Sequence, residues 1–242
     1  AVHDDGVGIP ADDLRLAVSR FATSKITRAE DLDGVHTMGF RGEALASVAS
    51  VARLAITSSV SARSAGAILA VEGGTETRFA PAAHPVGTTV SVEDLFFNTP
   101  ARRKFLKSER TEFGHVNDVV RRLGLAHGDV GFELTRGDRN VERLPAKRGF
   151  AMRVENLLGA DFLTQSMAVD AKTDGMHLHG WVGLPTYTRS QSRSQYFFVN
   201  GRAVKDLLVG HAVRQAYRDV MFHGRHPVFV LYLDLDPENI DV

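Results

Sequence analysis

Apolar residues along this chain recur at two spacings, the helical one near 3.6 residues and the extended one of two, and the switches between them outline its elements. Residues 1–3 read as the end of a strand that runs into Asp4-Asp5-Gly6. Pro10 suits the first position of a helix over 10–22, with Leu14, Val18 and Phe21 on one face. Residues 23–39 are polar and hold Gly34 and Gly39, which predicts a loop, and a second helix follows over 42–51. Alternation and β-branched residues then predict strands over 53–59, 67–72, 75–79 and 88–95, with Gly73-Gly74 as a hairpin turn. Helices are expected over 101–106 and 112–126, the latter carrying Phe113, Val116, Val119, Val120 and Leu123. Strands over 131–135 and 141–144 flank Gly137. The break at 145–149 predicts a domain boundary, dividing the chain into 1–147 and 148–242. Beyond it come a helix over 150–158, strands over 164–170, 177–183 and 195–199, a helix over 206–220 and an apolar strand over 227–235. The sum is an α/β chain of two domains.

Composition narrows the chemistry. The 242 residues include no cysteine, which removes disulfides, thiolate metal sites and cysteine nucleophiles. No apolar run approaches the roughly 20 residues of a membrane span, and no basic stretch leads an apolar one as in a signal peptide. Lys+Arg and Asp+Glu are both 29, so nucleic-acid binding would have to rest on a local patch.

Three segments could bind a ligand. In Asp4-Asp5-Gly6-Val7-Gly8, two glycines leave the backbone open beside a carboxylate able to accept from an exocyclic amine; an acidic turn or a calcium loop would look the same. Thr23-Ser24-Lys25 and Gly39-Phe40-Arg41-Gly42-Glu43-Ala44-Leu45 combine hydroxyls, an ammonium and a glycine-rich helix start. That combination suits phosphate, although the spacing is not that of a P-loop and a capped helix with a solvated loop fits equally. Gly87-Thr88-Thr89 opens a strand and by itself says only that threonine favours strands.

In this order the three segments resemble the GHKL ATPases. Phe21-Ala22-Thr23-Ser24-Lys25-Ile26, the Gly39–Ser47 stretch, Asn98-Thr99-Pro100-Ala101-Arg102-Arg103-Lys104-Phe105-Leu106 and Tyr196-Phe197-Phe198-Val199-Asn200-Gly201-Arg202 are similar to the N-terminal region of MutL-type DNA mismatch repair proteins. The resemblance implies an α+β sandwich, a mixed sheet with helices on one face, followed by a smaller ribosomal-protein-like α/β domain. It implies ATP and Mg²⁺ as ligands. Asp4 would read adenine, Gly6 and Gly8 would admit the base, and Thr88 would support the adenine end. Thr23, Ser24 and Lys25 would lie in a lid, and Gly39, Phe40, Arg41, Gly42, Glu43, Ala44 and Leu45 would wrap the phosphates.

The resemblance further implies a Glu-x-x-x-Asn ahead of Asp4, its glutamate the general base and its asparagine a Mg²⁺ ligand, and a lysine beyond Val242. Only Ala1, Val2 and His3 precede Asp4. The chain therefore reads as an excerpt whose parent is an ATPase, and no catalytic or metal-binding residue is expected within it. The expected role is mismatch repair: an ATP-dependent switch that pairs with itself or a paralogue, binds DNA without reading sequence and engages other repair proteins, in the bacterial cytoplasm or a nucleus. Between Pro100 and Leu123, Arg102, Arg103, Lys104, Lys107, Arg110, Arg121 and Arg122 outnumber Glu109, Glu112 and Asp118. Lys107 in that patch and Arg202 are the candidate DNA contacts. A gyrase-like subunit and a non-hydrolysing DNA-binding scaffold are the alternatives.

Overall fold

The computed structural model describes residues 1–25, 41–63, 65–146, 149–222 and 224–236, the side chain of Arg193 excepted. The chain forms two units, Ala1–Lys107 and Ser108–Val242.

The first unit begins with β1 (Val2–Asp4), a 3-10 turn over Ala11–Asp13 and the short helix α1 (Leu14–Ala17). After α2 (Ala44–Ala49) come β2 (Arg53–Ser59), β3 (Gly66–Glu72), β4 (Thr75–Ala82) and β5 (Gly87–Glu93), then a single turn α3 (Pro100–Arg103). The sheet order is β1-β5-β2-β3-β4, and every pairing in it is antiparallel. Strict alternation puts Leu54, Ile56, Ala67, Leu69 and Val71 on one face, where Leu14 of α1 and Ala49 of α2 close the core. The helix expected over 10–22 ends at Ala17. Phe21 lies at φ 63 and is 74% exposed, so it belongs to a turn and not to the apolar face.

In the second unit, α4 (Glu109–Ala126) leads to the hairpin β6 (Phe132–Arg136) and β7 (Arg139–Leu144), then α5 (Phe150–Leu158) and α6 (Ala160–Thr164). Ser108 caps α4 by accepting from the Thr111 N–H, with Glu109 and Glu112 in the first turn, so the helix starts ahead of the expected residue 112. The remaining elements are β8 (Ser166–Thr173), β9 (Met176–Gly183), β10 (Thr188–Arg189), β11 (Gln195–Val199), β12 (Arg202–Ala203), α7 (Leu207–Ala216), β13 (His226–Pro227) and β14 (Phe229–Leu235). Asp206, expected inside a helix, instead caps α7 through its carboxylate. The main sheet runs β12-β11-β14-β9-β8, with β11 and β14 parallel and the other pairs antiparallel. The overall class is the expected mixed α/β one.

The boundary between units falls after Lys107 and not after 147. The reason is a shared core: Leu125 of α4 and Leu144 of β7 are buried with Val154, Leu157, Phe162, Phe198 and Val230. Arg153 of α5 reinforces it. It is 2% exposed, and its guanidinium donates to the carbonyls of Gly124, Gly128, Val130 and Pro145 at 2.7–3.1 Å. Pro145, where the sequence suggests a break, thus lies within the second unit, its carbonyl held by a buried arginine. Burial draws the Arg153 pKa down, but an arginine still carries its proton.

Candidate nucleotide site

Strand pairing brings Asp4 and Thr88 face to face. Asp4 is the register partner of Thr88 across β1 and β5, and Thr88 is in turn the partner of Ser58 on β2. The three side chains therefore stand in a row on the face that also carries Leu54 and Ile56.

Their hydrogen bonds have a determined direction. Ser58 Oγ lies 2.9 Å from the Gly87 carbonyl, which can only accept, so the single Ser58 hydroxyl hydrogen is used there. The 2.9 Å contact between Ser58 and Thr88 hydroxyls must then be donated by Thr88. Ser58 Oγ also accepts from the Ile9 N–H at 2.7 Å. Thr88 has spent its hydrogen and keeps acceptor capacity for anything above it. Ser58 is 1% exposed and Thr88 6% exposed, so this relay is a fixed part of the sheet.

The glycines are set by close approach. The Gly6 N–H donates to Asp4 Oδ1 at 3.0 Å, which orients the carboxylate, and a Cβ on Gly6 would come within 2.9 Å of that same oxygen. Gly8 has φ +77, and a Cβ there would lie 2.1 Å from the Ser59 carbonyl oxygen. The carboxylate thus sits on a turn pinned to the end of β2.

The second group of predicted residues comes together at the two ends of one segment. The Phe21 N–H donates to the Gly42 carbonyl at 3.1 Å, and Gly42, at φ +61, packs against the backbone of Ala22. Thr23, Ser24 and Lys25 therefore leave from the place to which Arg41, Gly42 and Glu43 return. Thr23 Oγ1 accepts from the Lys25 N–H at 3.2 Å. Glu43 precedes α2, and Ala44 and Leu45 form its first turn, where no side-chain cap is present among the described residues. Leu45 packs against the same core as Ile9, which follows Gly8, so both groups rest on one support. Gly39 and Phe40 lie outside the described residues.

The sequence did not single out Ser58. Its signal is a polar residue at an inward position of an alternating strand, after Leu54 and Ile56. His3, which could pass for a general base, is turned to Thr89: its Nδ1 and the His84 Nε2 each lie 2.8 Å from the Thr89 hydroxyl oxygen. It belongs to the sheet.

The basic patch is partly consumed by structure. Arg121 donates to Glu142 at 2.8 Å and to the Leu157 carbonyl, and Arg122 pairs with Asp118 at 3.0 Å. For Arg121, desolvation opposes the charge, but its interactions with Tyr196 and with the Glu142 carboxylate, which accepts its N–H, outweigh it and raise the pKa above the ordinary arginine value. Arg102, Arg103, Lys104, Lys107 and Arg110 are exposed. Arg202 is half-buried on β12, opposite Val199. No described helix is long and apolar enough to cross a membrane.

A family model described as "DNA mismatch repair protein, C-terminal domain" matches residues 154–242. MutL of Pseudomonas putida is 57% identical over 245 residues, covering the whole of this chain, and MutL of Pseudomonas aeruginosa is 54% identical. The chain spans 39% of the length of each. Among solved structures, the Aquifex aeolicus MutL ATPase domain complexed with ADP is 28% identical with a TM-score of 0.69, covering 97% of this chain and 79% of that one. The N-terminal domain of a DNA repair protein, at 22% identity and TM-score 0.80, covers 99% and 75% and shares the fold.

Proposed function

We propose that this chain, which belongs to the MutL family of DNA mismatch repair proteins, holds an adenine nucleotide in its first unit and serves as part of an ATP-dependent switch in mismatch repair. The observation that carries this is the Asp4–Thr88 pair above the Ser58 relay. A carboxylate fixed by the Gly6 N–H, beside a threonine left with acceptor capacity, suits the exocyclic amine of adenine and a bridging water. Gly6 and Gly8, without Cβ atoms, leave room for the base. Thr23, Ser24, Lys25, Gly39, Phe40, Arg41, Gly42, Glu43, Ala44 and Leu45 are proposed to enclose the phosphates, largely through backbone N–H groups. Mg²⁺ would accompany the nucleotide, and no residue of 1–242 is assigned to it or to a catalytic base. The domain division after 147, taken from sequence, gives way in this reading to units parting after Lys107.

For the whole protein we propose the mismatch-repair role: nucleotide binding promotes pairing of two such regions, paired regions hold DNA through phosphate contacts, and hydrolysis releases them. Lys107 and Arg202 are the proposed DNA contacts. The ATPase relative with ADP supports the nucleotide reading by likeness.

Calorimetric titration with a non-hydrolysable ATP analogue and Mg²⁺ tests the nucleotide site. Binding that is lost in Asp4→Ala, with the fold intact by circular dichroism, is the expected result. Equal affinity in Asp4→Ala and parent would remove the adenine assignment.

A further inference from the structure

The second unit carries a cluster that the nucleotide reading does not use. His177 and His179 alternate on β9, so both point from one face of the sheet. Asp234 on β14 is the register partner of His177, and Asp170 on β8 is the partner of His179. All four side chains thus project from the same face of three adjacent strands. One ligand atom from each of His177, His179 and Asp234 can be chosen so that all lie within 4.8 Å of one another.

The geometry points to a site for a zinc-like divalent cation, bound by His177 Nδ1, His179 Nε2 and Asp234 Oδ2. His179 Nε2 is 3.0 Å and His177 Nδ1 is 3.9 Å from the same Asp234 oxygen. Ligand atoms around a tetrahedral zinc, each about 2.0–2.1 Å from the metal, stand roughly 3.3 Å apart, so small side-chain rotations suffice. The outer nitrogen of His177 is already committed: its Nε2 lies 2.8 Å from Asp170 Oδ1. A carboxylate that takes the N–H of one ring nitrogen leaves the other as an acceptor aimed inward, the arrangement that orients metal-bound histidines. Tyr232 stacks on the His179 ring, with centroids 5.2 Å apart, and restrains it.

The donor set selects the ion. Two imidazoles and one carboxylate suit zinc and its first-row neighbours and not Mg²⁺ or Ca²⁺, which prefer oxygen. With the histidine side chains 33% exposed, a fourth position is open to water or to a donor from a partner. Bound metal would cross-link β9 to β14.

The test is titration of the chain with Zn²⁺ by calorimetry and with Co²⁺ by visible absorption, in Mg²⁺ buffer. One ion per chain is expected, with a tetrahedral cobalt band that Mg²⁺ does not displace. His177→Ala and His179→Gln should each weaken zinc at least about 100-fold, and Asp170→Asn about 10-fold. His115→Ala, on α4, should bind like the parent. Circular dichroism and melting without metal confirm that each variant is folded. The proposal is overturned if the parent gives neither zinc heat nor a cobalt band, or if folded His177→Ala or His179→Gln binds as tightly as the parent.

Discussion

Asp4 and Thr88 stand opposite each other across an antiparallel ladder although 84 positions separate them in sequence, and the Thr88 hydroxyl donates to Ser58 and keeps its acceptor capacity. Neither residue carries much information by itself. Their pairing makes a candidate site because it places an acceptor and a glycine turn on the same end of one sheet. Conservative substitution separates the parts: Asp4→Asn can still accept the Gly6 N–H but presents an amide where the carboxylate stood. We expect it to keep the fold and to lose at least about tenfold in affinity for an adenine nucleotide, on the scale of one charge-assisted hydrogen bond.

Ser58 is the hinge of the relay, and its removal tests the assigned directions. Ser58→Ala leaves the Ile9 N–H and the Gly87 carbonyl without their partner and frees the Thr88 hydroxyl to rotate. A loss of about 1–3 kcal/mol in denaturant unfolding is expected. Nucleotide affinity should fall as well, although Ser58 does not itself reach the ligand. Ser58→Thr should restore part of both, because the hydroxyl remains.

Gly8→Ala addresses the turn. The left-handed backbone and the 2.1 Å approach to the Ser59 carbonyl together predict a loss of about 2–4 kcal/mol, read as a lower denaturation midpoint. Gly137→Ala, at φ +55 with nothing near its Cβ, should cost only about 1 kcal/mol by backbone strain. Equal losses at the two positions would show that close approach contributes nothing at Gly8.

In the second unit, alkaline pH provides a handle. Burial pushes the Tyr232 phenol far above its ordinary range, and its hydroxyl donates to the Leu125 carbonyl at 3.0 Å. Tyr217, also buried and bonded to the Gly183 carbonyl, is raised in the same way. For a group whose folded pKa is raised, the stability is present below the unfolded value, about 10 for tyrosine, and is lost as pH rises above it. Stability should therefore decline above about pH 10. Tyr232→Phe should be about 1 kcal/mol less stable at neutral pH and show a shallower alkaline decline in urea titrations.

Arg202→Glu tests the DNA assignment. Duplex affinity should fall, and the slope of log affinity against log salt should shrink by about 1. An unchanged slope would take Arg202 out of the interface.

How far these features could be read in advance depends on the range of the interactions that make them. β2, α5 and β11 matched their sequence bounds to the residue, because alternation or one helical face settles each locally. The two-residue strands β10 and β12 escaped, since two residues have no period, and the expected strand over 227–235 ran the end of β13 into β14. The unit boundary escaped for a different reason. Pro145 and Gly149 look like a linker, and the buried Arg153, reaching to Gly124, Val130 and Pro145, ties Pro145 to the elements on either side. An arginine on a helix reads as surface, so its fourfold carbonyl contact was invisible. The candidate site was half legible: Asp4 and the glycines stood out as a motif, Thr88 entered only through its place in the order of segments that carries the resemblance, and Ser58 needed the direction of its hydrogen bonds.

The pairing of β1 with β5 also has a history in time. His3 and Thr89 meet across 86 positions. A ribosome adding about 5–20 residues per second would need roughly 4–17 s to supply the second after the first. Through that interval β1 lacks β5, the strand it pairs with. When β5 emerges it can pair with β2 across a much shorter loop, which leaves its other edge open until β1 arrives. An open strand edge is the part of a nascent sheet most prone to pair with another chain. The carboxylate at the mouth of the proposed nucleotide site is carried by β1, so it cannot take its place opposite Thr88 before β5 has been synthesised.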